Sequence, residues 1–194
     1  MSAPAIPPVA LLLAAGQGSR FGGDKLLHPL RGVPLAAHAA RNLRAAGLPV
    51  VAVVKPGDEA LAALLNAEGC TVTVCPDAGA GMGHSLAHGV SVTSHAGGWI
   101  VALADMPAVK PATIARIVDA LHAGASLAAP FLHGERGHPV GFAAHHRDAL
   151  LQLAGDVGAR SLMQAQRNAL VVLDVDDPGV LYDVDRRDDL ARPV

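Results

Sequence analysis

The sequence is poor in the residues from which most surface-recognition chemistry is built. Of its 194 residues only 3% are aromatic and 16% charged, with 15 Lys and Arg against 17 Asp and Glu for a net charge of −2. So few rings supply no stacking platform, and so even a balance supplies no basic face; nucleic acid is therefore not an expected partner. Cys70 and Cys75 are the only cysteines, and their spacing is neither a CxxC nor a repeated ligand pair. They read as two reduced thiols. The apolar run in MSAPAIPPVALLLAAG has no basic residues ahead of it and meets Gly16 well short of the ~20 residues that span a bilayer. No membrane partner is expected, and the location expected is cytoplasmic. Internal repeats, charge runs and long Ser/Gly/Pro linkers are also missing, so one domain over residues 1–194 is expected.

What is abundant is small and apolar. Hydrophobic residues make up 51% of the chain, much of that alanine, which is enough for a sizeable core. Apolar runs alternate with helix-like stretches. Strands are predicted at 9–14, 50–54, 70–75 and 99–103, and helices from near Pro34 to Gly47, over 58–68, over 83–94 and from Pro111. Two further strands, 126–130 and 140–143, flank the polar turn at 133–139 and suggest an antiparallel element. Helices at 145–153 and 159–166, a strand at 169–174 and an extended piece at 182–185 follow. The sum is a three-layer α/β domain with a mostly parallel sheet.

The strongest local signal is LLLAAGQGSRFGGDK, a buried strand running straight into Gly16, Gly18, Gly22 and Gly23, with Arg20 and Lys25 set among them. Such a loop wraps phosphate oxygens with backbone N–H groups while the cations neutralise them. A P-loop does not fit, because Asp24 follows Gly23, the lysine comes one place late as Lys25, and Leu26 after it replaces the magnesium-binding hydroxyl. A dinucleotide fingerprint needs glycine at Phe21, and strand two ends in Val54-Lys55 instead of a ribose-binding carboxylate. A nucleoside triphosphate whose pyrophosphate departs is the reading that uses both cations.

Asp105 follows an apolar run at the end of a central strand, near the phosphate loop, where it suits a hard divalent cation. Capping or turn formation is the plainer role for such an aspartate. Asp183 and Asp185 are candidates for a second carboxylate, with a period-two spacing that puts both on one strand face. His84 and His88 are four apart, yet Ser85 stands where a zinc protease carries glutamate, so a helical metal pair competes with a polar face. No general base is evident. A phosphate monoester needs none, being largely dianionic at neutral pH with a second pKa near ~6.

Six segments in this order carry a resemblance. Leu13-Ala14-Ala15-Gly16 through Arg20, Gly22 and Lys25 is similar to an LAAG-x-x-x-R-M-G-x-x-K loop, Gly81 to Leu86 to GMS-x-SL, and Asp105-Met106-Pro107 to DMP. Gly137-His138-Pro139 matches GHP, Gly155 to Arg160 GD-x-GAR, and Asp183-Val184-Asp185 DID. Over essentially its whole length the chain resembles the molybdenum cofactor cytidylyltransferase branch of the MobA-like nucleotidyltransferases. The resemblance implies a Rossmann-like nucleotidyltransferase fold that moves CMP from CTP to the terminal phosphate of molybdopterin, or of the molybdenum cofactor, for delivery to an apo-molybdoenzyme. It implies a nucleotide site at Leu13, Ala14, Ala15, Gly16, Gly18, Ser19, Arg20, Lys25, Asp77, Gly81 and Met82. Ser85, His138, Pro139, Asp156, Gly158 and Arg160 would face the acceptor. Asp105 and Asp185 would hold Mg2+, with Mn2+ able to replace it, and Arg20, Lys25 and Asp105 would act in catalysis. Residues up to about 110 would serve the nucleotide and those from about 111 the acceptor. Ala15, where guanylyltransferases usually carry glycine, argues for a pyrimidine. Gly83 departs from the family serine, and Arg186-Arg187 from its Thr-Pro. A related transferase using GTP or another phosphorylated acceptor, a nicotinamide-dependent oxidoreductase and a non-catalytic pterin carrier are the alternatives.

Overall fold

A strand that is apolar on both faces has to be covered on both, and the first strand, VALLL, organises the molecule accordingly. The computed structural model describes residues 6–16, 18 and 20–192. Along the chain lie β1 (Val9–Leu13), a short hairpin of β2 (Pro29–Leu30) and β3 (Val33–Pro34), α1 (Leu35–Ala45), β4 (Val50–Val54) and α2 (Glu59–Ala67). Next come β5 (Thr71–Val74), α3 (Met82–Val92), β6 (Gly98–Leu103), α4 (Pro111–His122), β7 (Leu127–Leu132), β8 (Glu135–Arg136) and β9 (Val140–Ala143). The chain closes with α5 (Arg147–Leu151), α6 (Arg160–Ala165) and β10 (Leu170–Asp174).

The main sheet runs β10-β7-β9-β6-β1-β4-β5, with β8 attached to β7. β1 pairs in parallel with β4 and β6, and β4 with β5. β9 lies antiparallel between β6 and β7, while β10 is parallel to β7. The fold is thus a three-layer α/β nucleotidyltransferase fold with a mostly parallel sheet. The antiparallel element expected around 126–143 is real, but β9 pairs with β6 as well as with β7.

Alternation along β1 divides the core. Ala10, Leu12 and Ala14 face α1, α2 and α4, where Leu43, Leu61, Leu65, Ile114 and Ile117 bury their side chains. Leu11 and Leu13 face the other layer, with Leu86 and Val90 of α3, Leu150 of α5 and Met163 of α6. Each fully buried Leu or Ile contributes roughly 1.5–3 kcal/mol to folding. The many alanines have a place in this design. Ala36, Ala37, Ala39 and Ala40 of α1 are all buried, and such short side chains bring a helix close to the sheet. On the opposite layer Gly89 does the same for α3, since a Cβ there would stand 3.1 Å from Val53 and 3.2 Å from Leu11.

Both thiols are free and buried. Among the described residues no helix is long and apolar enough to cross a membrane. The extended piece expected at 182–185 is not a strand: it has no ladder partner. Its alternation is nevertheless real, because Tyr182 and Val184 are buried while Asp183 is exposed and Asp185 half-exposed.

Candidate active site

The carboxyl ends of β1, β4 and β6 open onto a cleft of about 640 Å3, the position where open parallel sheets gather their ligands. Leu13, Ala15, Gly16, Gly18 and Lys25 from the first loop line it, with Asp105 after β6 and Gly81, Met82, Ser85 and Asp156 opposite. Gly18, Gly22 and Gly23 have φ of +57°, +80° and +147°. These are left-handed angles that glycine adopts at no steric cost, and they let the loop double back from Gly16 to Lys25. Phe21 N–H donates to Gly18 O over 3.0 Å, and Lys25 N–H to Gly23 O over 2.7 Å. Gly16 has no atom within 4 Å of where a Cβ would stand, so its backbone is open to a ligand.

Four charged side chains meet at this loop. Lys25 Nζ donates to Asp105 Oδ2 over 2.7 Å and to Asp185 Oδ1 over 3.3 Å, with its side chain only 10% exposed. Burial alone would lower the pKa of Lys25, but the charge and hydrogen bond of Asp105, followed by those of Asp185, outweigh it and raise the pKa above the ordinary lysine value. The ammonium is therefore a permanent cation between two carboxylates. Arg20 Nη1 donates to Asp185 Oδ2 over 3.1 Å, but its side chain is 72% exposed. At that exposure the pair adds little to stability and leaves Arg20 able to turn to another anion.

Asp185 lies 160 residues from Lys25 in sequence, and a small apolar cluster accounts for their meeting. Phe21 of the glycine loop packs with Leu35, Tyr182 and Val184, which folds the 180–192 segment back over the loop. The Asp189 carboxylate accepts from the N–H groups of Asp185 (2.9 Å) and Arg186 (2.7 Å); the Arg186 N–H holds its pKa below the usual carboxylate range. The Arg187 guanidinium stands 5.2 Å from the Phe21 ring centre, within cation–π range. The Arg187 side chain thus does structural work where the family pattern has Pro.

Among the described residues no three His, Cys, Asp or Glu side chains converge on a metal position. Asp105 and Asp185, however, converge on one ammonium. Magnesium and its relatives are commonly held by one or two carboxylates together with substrate phosphates. This pair of hard oxygen donors beside the glycine loop fits that pattern. The histidine pair does not serve as an alternative: His84 Nδ1 accepts from Gly155 N–H over 3.2 Å, and His88 Nε2 is hydrogen-bonded to Thr73 Oγ1 over 2.8 Å.

Several predicted residues do not line the cleft among the described residues. Ser19 lies outside the described residues. Ala14 turns its side chain away from the cleft into the α1 core. Asp77 is exposed, ahead of the turn that brings Ala78 and Gly79 to the cleft wall. His138 and Pro139 do not line the cleft. They line a second, very small cavity with Asn42, Leu43, Met106 and Ile114, between β6, α1 and α4. His138 Nδ1 is buried without a hydrogen-bond partner. Burial, then the nearby charge of Arg136, pushes its pKa down to about 4, so the ring is neutral at physiological pH. Gly158 and Arg160 are also outside the cleft lining, although a Cβ on Gly158 would be 3.5 Å from the Met82 sulfur. The Gly83 departure has a steric basis, since a Cβ there would stand 2.8 Å from the Ala154 backbone.

Sequence reasoning missed Lys55 and Asp58, which line the cleft after β4 with Nζ and Oδ2 3.9 Å apart. The rule that directs attention to Asp105, a polar residue just past a parallel strand, applies equally to Lys55.

The family profile for the MobA-like NTP transferase domain matches residues 10–170. The chain belongs to that family. Nucleotidyl transfer is the chemistry of the MobA-like NTP transferases, and the chain is an enzyme of this class. Its relatives include the nicotine blue oxidoreductase of Paenarthrobacter nicotinovorans, 31% identical over 191 residues and covering 94% of each chain. The purine catabolism protein PucB of Bacillus subtilis is 31% identical over 194 residues, covering 91% of each. Among solved structures, Rv0371c of Mycobacterium tuberculosis superposes with a TM-score of 0.81 at 28% identity, covering 97% of this chain and 96% of that one. The same protein has been crystallised in complex with manganese, a form that superposes with a TM-score of 0.76.

Proposed function

We propose that this enzyme transfers CMP from CTP to the terminal phosphate of molybdopterin or of the molybdenum cofactor, forming the cytosine dinucleotide and releasing pyrophosphate. The observation that carries the proposal is the Lys25 ammonium held between Asp105 and Asp185 beside the glycine loop. An oxygen of the acceptor phosphate attacks the α-phosphorus of CTP; the new P–O bond forms as the bond to the β-phosphate oxygen breaks, and pyrophosphate leaves. Both nucleophile and leaving group are anionic, so positioning and charge neutralisation do the catalytic work.

The backbone from Gly16 to Gly23 holds the triphosphate, and Lys25 and Arg20 neutralise the charge that collects on departing pyrophosphate. Asp105 and Asp185 would hold Mg2+, or Mn2+ in its place, whose chemistry when bound is to polarise the phosphoryl oxygens. Ala15 lines the cleft, and a methyl group there, where guanylyltransferases usually carry glycine, favours the smaller pyrimidine. Ser85 and Asp156, on the opposite wall, face the acceptor, while His138 and Pro139 shape the acceptor side from behind it. In this division residues up to about 110 serve the nucleotide and later ones the acceptor, and the product passes to an apo-molybdoenzyme.

Pyrophosphate release measured with each of the four triphosphates and purified molybdopterin tests the proposal. CTP alone should support release. Release with GTP instead, or only with another phosphorylated acceptor, would replace the specificity and keep the chemistry. One relative's name favours a second reading, an oxidoreductase that uses the glycine loop for a nicotinamide dinucleotide. Saturable NADH or NADPH fluorescence with no CTP binding would establish that reading in place of the first.

A further inference from the structure

Ser126 stands just ahead of β7, and its hydroxyl is shared by two imidazoles. His145 Nε2 lies 2.9 Å and His146 Nε2 2.8 Å from Ser126 Oγ. The two histidines are consecutive on the short turn after β9, with ring centres 4.2 Å apart and planes inclined by 43°. A hydroxyl has one proton to give, so it donates to one ring only, and the other ring must present Nε2–H to the oxygen. Two nitrogens that ligate metals when neutral are thus aimed at one point.

The surroundings hold these donors in place and leave them accessible. His146 is buried, with its ring 6.2 Å from that of Phe142 at 85°, an edge-to-face contact that orients the imidazole. His145 is exposed and Ser126 half-buried, so the meeting point opens to solvent on one side. Burial, then the neighbouring His145, lowers the His146 pKa, and its ring is neutral at physiological pH. The three side chains are not needed to join the strands, because Ala143 N–H already donates to Ser126 O over 3.0 Å and β9 pairs with β7 beside it. The adjacent charge is balanced as well: Arg147 Nε donates to Asp148 Oδ1 over 3.0 Å. Since β9 is antiparallel to both β6 and β7, those two run the same way, which puts Ser126 at the amino ends of the strands, opposite the cleft.

We infer that Ser126, His145 and His146 form a cation site remote from the cleft, and that its ligand is a divalent transition-metal ion of the zinc type. Imidazole nitrogens suit Zn2+, Ni2+ or Cu2+, whereas Mg2+ prefers oxygen. On binding, both rings carry their proton on Nδ1, the two Nε2 lone pairs and the hydroxyl oxygen face the ion, and water completes a four-coordinate set. With three protein donors, one of them a neutral hydroxyl, the site exchanges its ion and is not a closed structural centre. Its donors differ in kind from the Asp105 and Asp185 carboxylates, and the site stands independently of the proposed transfer reaction.

Titration of the full, untagged chain with Zn2+ tests this, followed through the histidine ring nitrogens by NMR and through competition with a chromophoric chelator. One equivalent should bind saturably and move the Nε2 resonances of His145 and His146 together, each assigned by its absence in the corresponding His→Gln variant. His145→Gln, at an exposed position, should weaken Zn2+ binding about tenfold or more, and Ser126→Ala should weaken it by a smaller factor. Excess Mg2+ should not displace the ion. Zn2+ should also raise the urea midpoint of the wild type and raise that of His145→Gln far less at the same concentration. If His146→Gln fails to fold, His145→Gln and Ser126→Ala carry the comparison. No saturable binding, or equal affinity in wild type and His145→Gln, would overturn the site and leave a hydrogen-bond network alone. Saturable shifts at His84 and His88, with His145 and His146 unmoved, would overturn it equally.

Discussion

The backbone N–H of Val184 donates to the carbonyl oxygen of Asp105 over 3.0 Å. That bond ties the residue beside Asp185 to the loop after β6, so the backbone segments that carry the two carboxylates are held together. Lys25 then bridges acids carried on joined segments. The cluster is a pre-arranged charge trap, and its members should respond differently to substitution.

Lys25→Ala should lower kcat by about 100- to 1000-fold, the scale on which a single transition-state charge contact acts. Nucleotide affinity should fall far less. Pyrophosphate release and equilibrium CTP binding, measured side by side, check this; equal losses in both, or no loss in either, would remove Lys25 from the assigned role.

Asp185→Asn should weaken divalent-metal binding in the presence of nucleotide by about tenfold or more, read as free Mn2+ by electron paramagnetic resonance. Asp183→Asn should leave it unchanged, since Asp183 is exposed and makes no contact with Lys25. Equal effects of the two substitutions would contradict the assignment of Asp185.

Two glycines separate stability from function. Gly83→Ser would press a side chain onto the Ala154 backbone and should cost about 1–3 kcal/mol in urea denaturation. Gly16→Ala meets no protein atom within 4 Å and should change stability by no more than about 0.5 kcal/mol, while weakening nucleotide binding by crowding the phosphates.

His138 makes stability depend on pH. Its folded pKa of about 4 lies below the ordinary histidine value of about 6.5. Between those values the unfolded chain binds a proton that the folded chain does not. Its contribution is therefore complete above about pH 6.5 and lost as pH falls towards 4, a total of about 3 kcal/mol. Urea midpoints across that range should fall more steeply for wild type than for His138→Gln. The pKa of His146 is also lowered, by burial and then by His145; its share is common to both proteins and cancels in the difference.

Most of the fold was legible in the sequence because buried parallel strands announce themselves as short apolar runs. Val50–Val54 and Val140–Ala143 fall where the pattern predicts, and Pro111 opens α4. The order of strands was less legible, since periodicity carries no information about neighbours; nothing local tells Val140–Ala143 to insert between β6 and β7. Tyr182 to Asp185 alternates as a strand does because one side of it packs on Phe21 and Leu35. Alternation reports a two-sided environment, and here the environment is a loop. Lys25, Asp105 and Asp185 were legible as motif residues, but the inward burial of His138 depends on how closely α1 and α4 approach β6.

The return of the 180–192 segment across the glycine loop also sets an order of assembly. A chain growing from its amino end has Lys25 and Asp105 long before Asp185 exists, so an unfinished polypeptide carries one acid of the pair and a loop with no Val184 or Tyr182 to brace Phe21. The ion-paired cluster of Lys25, Asp105 and Asp185 is therefore completed late in synthesis, and incomplete molecules pass through their immature stages without it.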